Sequence, residues 1–149
     1  MTNYSEEVLG QTKELLKSVG KSKRELVIGI PKETVFQEKR IALTPLSVAL
    51  LVEYGHRVII ESGAGDSSNF LDHHYSEQGA QIVHEKERVY NSDIVIKIAG
   101  PTLDEVKLMR NKQILLSSQQ PSLLDSDVLQ ALMKKQITAL SYEYLQDEG

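Results

Sequence analysis

The 149-residue chain reads as an α/β protein with a mainly parallel, doubly wound sheet, helices on both faces and a helix ahead of it. Two observations predict this class. Short apolar runs at residues 26–30, 57–61, 93–98 and 114–116 are continuous rather than alternating, as in strands buried on both faces. Between them lie helix-length segments bounded by capping residues and glycines, so strand and helix alternate along the chain.

Residues 1–24 read as a helical extension and linker. Ser5 is a helix cap with Glu6 and Glu7 in the first turn, where carboxylates suit the positive end of the dipole. Val8, Leu9, Thr12, Leu15, Leu16 and Val19 repeat at helical spacing until Gly20, and a short basic linker ends at Arg24. Such a helix lies against its own domain or a neighbouring subunit. The main domain, residues 25–149, opens with the strand at 26–30. Pro31 ends it, having no N–H for a ladder. A charged loop follows, carrying Lys32, Glu33, Glu38, Lys39 and Arg40. Thr44 then caps a helix with Pro45 at its first position, closed by Gly55.

The alternation continues with a strand at 57–61, a short helix at 72–78 closed by Gly79, and a strand at 80–83. A helix at 85–90 leads to the strand at 93–98. Thr102 and Glu105 have capping-box spacing for a helix running to about Arg110. After the strand at 114–116, a helix at 125–135 sets Val128, Leu129, Leu132 and Met133 on one side and Lys134 and Lys135 at its negative end. The last strand is 137–142. A first strand, a charged loop and a helix in this order put Lys32 to Arg40 where open α/β sheets carry their sites.

Composition narrows the function classes. Apolar residues make up 40% and charged residues 26%, ordinary globular values. A net charge of −4 without a basic cluster argues against nucleic acid as a partner. With no cysteine there is no disulfide, thiolate nucleophile or cysteine-ligated metal. No apolar run approaches the roughly 20 residues of a membrane span, and the first residues lack a signal peptide's apolar core, so a cytoplasmic location is expected.

The ordered pieces Gly29-Ile30-Pro31-Lys32-Glu33, then Lys39-Arg40-Ile41-Ala42-Leu43-Thr44-Pro45, resemble the amino-terminal signature of the alanine dehydrogenase and nicotinamide nucleotide transhydrogenase family. The resemblance continues through His56 to Gly65, Gly79 to Val83, Asp93 to Lys97, Ile137 to Ala139 and Tyr142-Glu143, and is nearest to alanine dehydrogenase. It implies a Rossmann-like or flavodoxin-like substrate domain of an oligomeric enzyme, here a homo-oligomer. That enzyme would interconvert L-alanine with pyruvate and ammonia using NAD. Family members continue into a separate NAD-binding domain and then return to the first. The chain is therefore expected to be a fragment, inactive alone and holding no cofactor residues of its own.

Arg40 stands at the family arginine that grips the substrate carboxylate, a task suited to a guanidinium's paired N–H groups. Lys97 closes a strand buried on both faces. Its ammonium must reach solvent at the rim or an anionic partner, and the resemblance implies contact with substrate oxygens as a catalytic and binding residue. Glu33 is expected to orient Arg40 or its loop. At the place of the family's acid/base histidine stands Gln120, whose amide has no useful pKa for proton transfer. This departure keeps transhydrogenase, saccharopine-type dehydrogenase and a catalytically degenerate metabolite-binding or oligomerisation domain as alternatives.

Two lesser features are set aside. Gly63-Ala64-Gly65-Asp66-Ser67-Ser68 follows a strand but lacks the third glycine of a dinucleotide fingerprint, and Asn69-Phe70-Leu71 separate it from the next helix. His73 and His74 are adjacent and not expected to share a face, so they are read as surface residues with no metal; His56 and His84 have no matching role.

Overall fold

The computed structural model describes residues 24–119 and 123–144. The extension helix expected before residue 24, and Gln120, lie outside the described residues. Six strands form one sheet: β1 (Val27–Ile30), β2 (Arg57–Glu61), β3 (Gln81–Val83), β4 (Ile94–Ala99), β5 (Ile114–Ser118) and β6 (Thr138–Ser141). Their order is β3-β2-β1-β4-β5-β6, and every neighbouring pair runs parallel. The strand order reverses between β1 and β4, so their carboxyl ends open the crevice where such sheets bind ligands.

Helices α1 (Pro45–Glu53) and α2 (Asp72–Ser76) cover one face; α3 (Lys86–Tyr90), α4 (Leu103–Leu108) and α5 (Ser126–Lys134) cover the other. The first face packs Val48 and Tyr75 on Ile30, Val58 and Ile60. The second packs Tyr90, Val106, Val128 and Leu132 on Val95 and Leu115. Val58 and Ile60 point to one layer and Ile59 to the other, the period-two alternation of a strand between two helical layers.

The local signals act as read. Thr44 caps α1 through a hydrogen bond from Ser47 N–H, and Thr102 with Glu105 forms a reciprocal capping box on α4. Gly55 and Gly79 take positive φ of 86° and 89° after their helices. Helix ends fall a residue or two inside the expected bounds, since terminal turns lack full hydrogen bonding. Lys135, expected to serve its own helix end, instead donates to the carbonyls of Lys107 and Met109 at the end of α4, each at 2.6 Å.

Gly29 has a packing reason that its motif does not announce. A Cβ there would collide with the Val89 carbonyl oxygen and come within 2.6 Å of Ser92 Oγ. Glycine therefore lets the end of α3 lie directly on β1.

The adjacent histidines lie side by side rather than on separate faces. The His73 and His74 rings lie 4.0 Å apart, tilted by 53°. His74 turns back so that Nδ1 accepts from Leu71 N–H, which brings its ring onto its neighbour.

Candidate functional site at the carboxyl ends of β1 and β4

Lys97 lies within β4 and is completely buried. Its ammonium is 2.9 Å from Glu105 Oε2 and 3.6 Å from Glu33 Oε2, so of the two outcomes open to it the anionic partner is realised rather than solvent at the rim. Glu105 sits in the first turn of α4 with 2% of its side chain exposed. It also accepts from Thr102 N–H and from Thr34 Oγ, and Lys86 lies 3.6 Å away. Burial pushes its carboxyl up, but the charge and hydrogen bond of Lys97, with Thr102 and Lys86, bring it below the ordinary value. This one carboxylate ties β4, the loop after β1 and helix α4 together.

Glu33 is held by a bulge. Ile96 pairs with Leu116 and Ala99 with Ser118, so Lys97 and Ile98 together oppose the single residue Ser117. The Ile98 N–H, turned out of the ladder, donates to Glu33 Oε1 at 2.6 Å. Glu33 thus pins its loop to the edge of β4 across the reversal of strand order. At the same end of the sheet, Glu33 Oε2, Ser117 Oγ, Gln119 Oε1 and Tyr142 Oη are buried polar atoms without a hydrogen-bond partner among the described residues. Burial pushes the Tyr142 phenol up to about 12, and the charge of Glu33 adds to this.

Arg40 lies further out on the same loop, with 73% of its side chain exposed. Its direct partner is Glu38 rather than Glu33. Glu38 Oε1 accepts from Arg40 Nε and from the Arg40 backbone N–H, both at 2.9 Å, and Oε2 accepts from Nη2 at 2.7 Å. These bonds hold the Glu38 carboxyl down at about 2. Glu33 acts on Arg40 only through its charge. The site residues expected from sequence therefore form an inner pair, Glu33 with Lys97, and an outer arginine; Gln120 lies outside the described residues.

Two participants were not singled out from sequence. In sequence Glu105 carries only the signal of a capping residue, although a buried lysine demands an anion and Glu105 is a nearby acid along the chain. Glu38 had no assigned role; its spacing of two from Arg40, which sets side chains on one side of an extended segment, was the available signal.

The glycine loop after β2 does not fit a dinucleotide. Asp72 turns into it, accepting from Ser62 Oγ at 2.6 Å and Gly63 N–H at 2.9 Å. The Gly63 N–H is thus already given to a carboxylate of the chain itself. Residues 66–68 form a 3-10 turn before α2, so no long helix starts at the loop. Among the described residues no cluster of His, Asp and Glu is arranged to hold a metal ion, and no helix is long and apolar enough to cross a membrane.

Residues 29–149 match the family model described as alanine dehydrogenase/PNT, N-terminal domain. The chain belongs to this family. The alanine dehydrogenase of Bacillus subtilis (strain 168) is 36% identical over 118 residues, covering 79% of this chain and 31% of that protein. A solved L-alanine dehydrogenase superposes with a TM-score of 0.76 at 36% identity, covering 79% of this chain and 32% of the other. A transhydrogenase from Sinorhizobium meliloti superposes with a TM-score of 0.74 at 24% identity over 80% of this chain and 36% of the other, a likeness of fold alone. The chain thus spans about a third of the length of the relatives it matches.

Proposed function

We propose that this chain is the substrate-side domain of an NAD-dependent amino-acid dehydrogenase that interconverts L-alanine with pyruvate and ammonia. The observation that carries the reading is Arg40: an exposed guanidinium held on the loop after β1, at the carboxyl edge of a family sheet. It would receive the substrate carboxylate through paired hydrogen bonds. Glu33 would hold the loop in place from beneath. Lys97, sealed between Glu33 and Glu105, acts as the fixed positive charge that keeps Glu33 and Thr34 in register, and would meet substrate oxygens only on opening of that cluster. NAD would supply hydride transfer, and a part of the enzyme beyond these residues would hold it, since the glycine loop here is closed by Asp72. Such an enzyme would work as a homo-oligomer in the cytoplasm.

Gln120 in place of the family histidine favours a second reading, transhydrogenation, in which two nicotinamides meet and no substrate proton is managed. The deciding experiment is alanine-dependent NADH formation at alkaline pH by the full-length gene product, with Gln120→His alongside. Activity of the unmodified protein supports alanine oxidation with the proton handled by another group. No alanine activity in a protein shown to bind NAD overturns the leading reading.

A further inference from the structure

We propose that Glu38 is a positioning residue for Arg40, fixing the guanidinium so that its outer edge faces a ligand carboxylate; this rests on the reading of Arg40 given above. The geometry is a clamp. Glu38 takes the inner edge of the guanidinium, Nε with Nη2, and also the Arg40 backbone N–H. Among the described residues nothing bonds Nη1, so the edge formed by Nη1 and Nη2 points outward. A guanidinium can serve two carboxylates at once, one on each edge.

The clamp stands on an anchored base. Glu38 N–H closes a turn onto the Val35 carbonyl, with Gln37 between them in the left-handed region at φ 67°. Ser68 Oγ donates to the Lys39 carbonyl at 2.7 Å, tying the residue between clamp and arginine to the turn after β2. Only 13% of the Glu38 side chain is exposed, against 73% for Arg40, so the carboxylate is the fixed partner and the guanidinium the presented one. Glu38 also repels an incoming carboxylate, but that repulsion acts across solvent, where charges couple weakly. Ordering a long, rotamer-rich side chain before the ligand arrives is the larger effect.

The test uses the full-length gene product, with pyruvate as the carboxylate. Glu38→Gln is expected to raise the KM for pyruvate about tenfold, the cost of freeing one rotamer-rich side chain, while kcat stays within about twofold. Arg40→Gln, in contrast, is expected to lose far more of kcat/KM. An unchanged or lower KM in Glu38→Gln, with an active wild type, overturns the proposal and makes Glu38 a competitor for the arginine. A wild type inactive with pyruvate overturns the functional reading instead. The clamp is then judged in the 149-residue chain by the Arg40 Nε–H proton: slow exchange lost in Glu38→Gln upholds it, and slow exchange retained overturns it.

Discussion

Lys97 Nζ lies 2.9 Å from Glu105 Oε2, and the two side chains are 0% and 2% exposed. The pair joins the middle of the sheet to the first turn of α4, and Glu33 shares the same ammonium at 3.6 Å. Lys97→Met leaves Glu33 without a cation and Glu105 with Lys86 alone, and Glu105→Leu leaves the ammonium with Glu33 alone. Each change should cost about 3–5 kcal/mol, the penalty for breaking a buried pair from one side. Replacing both, as Lys97→Met with Glu105→Leu, should cost clearly less than the sum, because neither member of the pair is then left buried without the other, although Glu33 still loses its cation. Urea unfolding of the four proteins measures the coupling; simple additivity would refute the pair as a unit.

Acid should unmake the same cluster. The folded state holds Glu105 below its ordinary value and Glu38 at about 2. A depressed carboxyl contributes stability that is present above its unfolded value and is lost as pH falls through the folded one. Stability should therefore decline as pH drops from about 4.5 towards 2, with the buried Glu105 the more consequential group because Arg40, the partner of Glu38, is largely exposed and solvent screens that pair. Glu105→Gln should flatten the acid limb of stability against pH, measured by circular dichroism in urea at successive pH values. A limb of unchanged steepness would refute this assignment.

Gly29→Ala should destabilise by about 1–3 kcal/mol, because its methyl group meets the Val89 carbonyl and Ser92 Oγ. Removing the hydroxyl as well, in a Ser92→Ala background, should recover only part of the loss, since the carbonyl belongs to the backbone. Thermal unfolding of the single and double variants checks the order.

Tyr75 is completely buried on the α2 face, and its hydroxyl donates to the Leu43 carbonyl at 3.0 Å, just where the charged loop enters α1. Burial pushes its phenol up to about 12, so the donor stays protonated over the ordinary range. Tyr75→Phe keeps the ring and removes one hydrogen bond, leaving the carbonyl short of a partner. A loss of about 1 kcal/mol is expected, with faster amide exchange confined to the segment around residues 41–44.

Much of this protein is written locally. The strand and helix sequence, the caps at Thr44 and Thr102, and the glycines ending α1 and α2 all follow from side chains within a few residues of one another. So does the exclusion of the Gly63 to Ser68 loop as a nucleotide fingerprint, because the gap before Asp72 is visible in the chain itself. Such features rest on backbone hydrogen bonds and φ preferences that act over one turn or one strand.

Tertiary structure alone decided the partners. Which acid neutralises Lys97 depends on where α4 starts over the sheet. Glu33 meets Ile98 only because a bulge at Lys97 and Ile98 turns one N–H out of the ladder, and the two glutamate oxygens that matter come from residues 65 and 71 positions away from their partners in the chain. Charges of one sign are interchangeable in a sequence; burial makes them specific, since a buried ion must find its counter-ion within a few ångströms or not be buried at all.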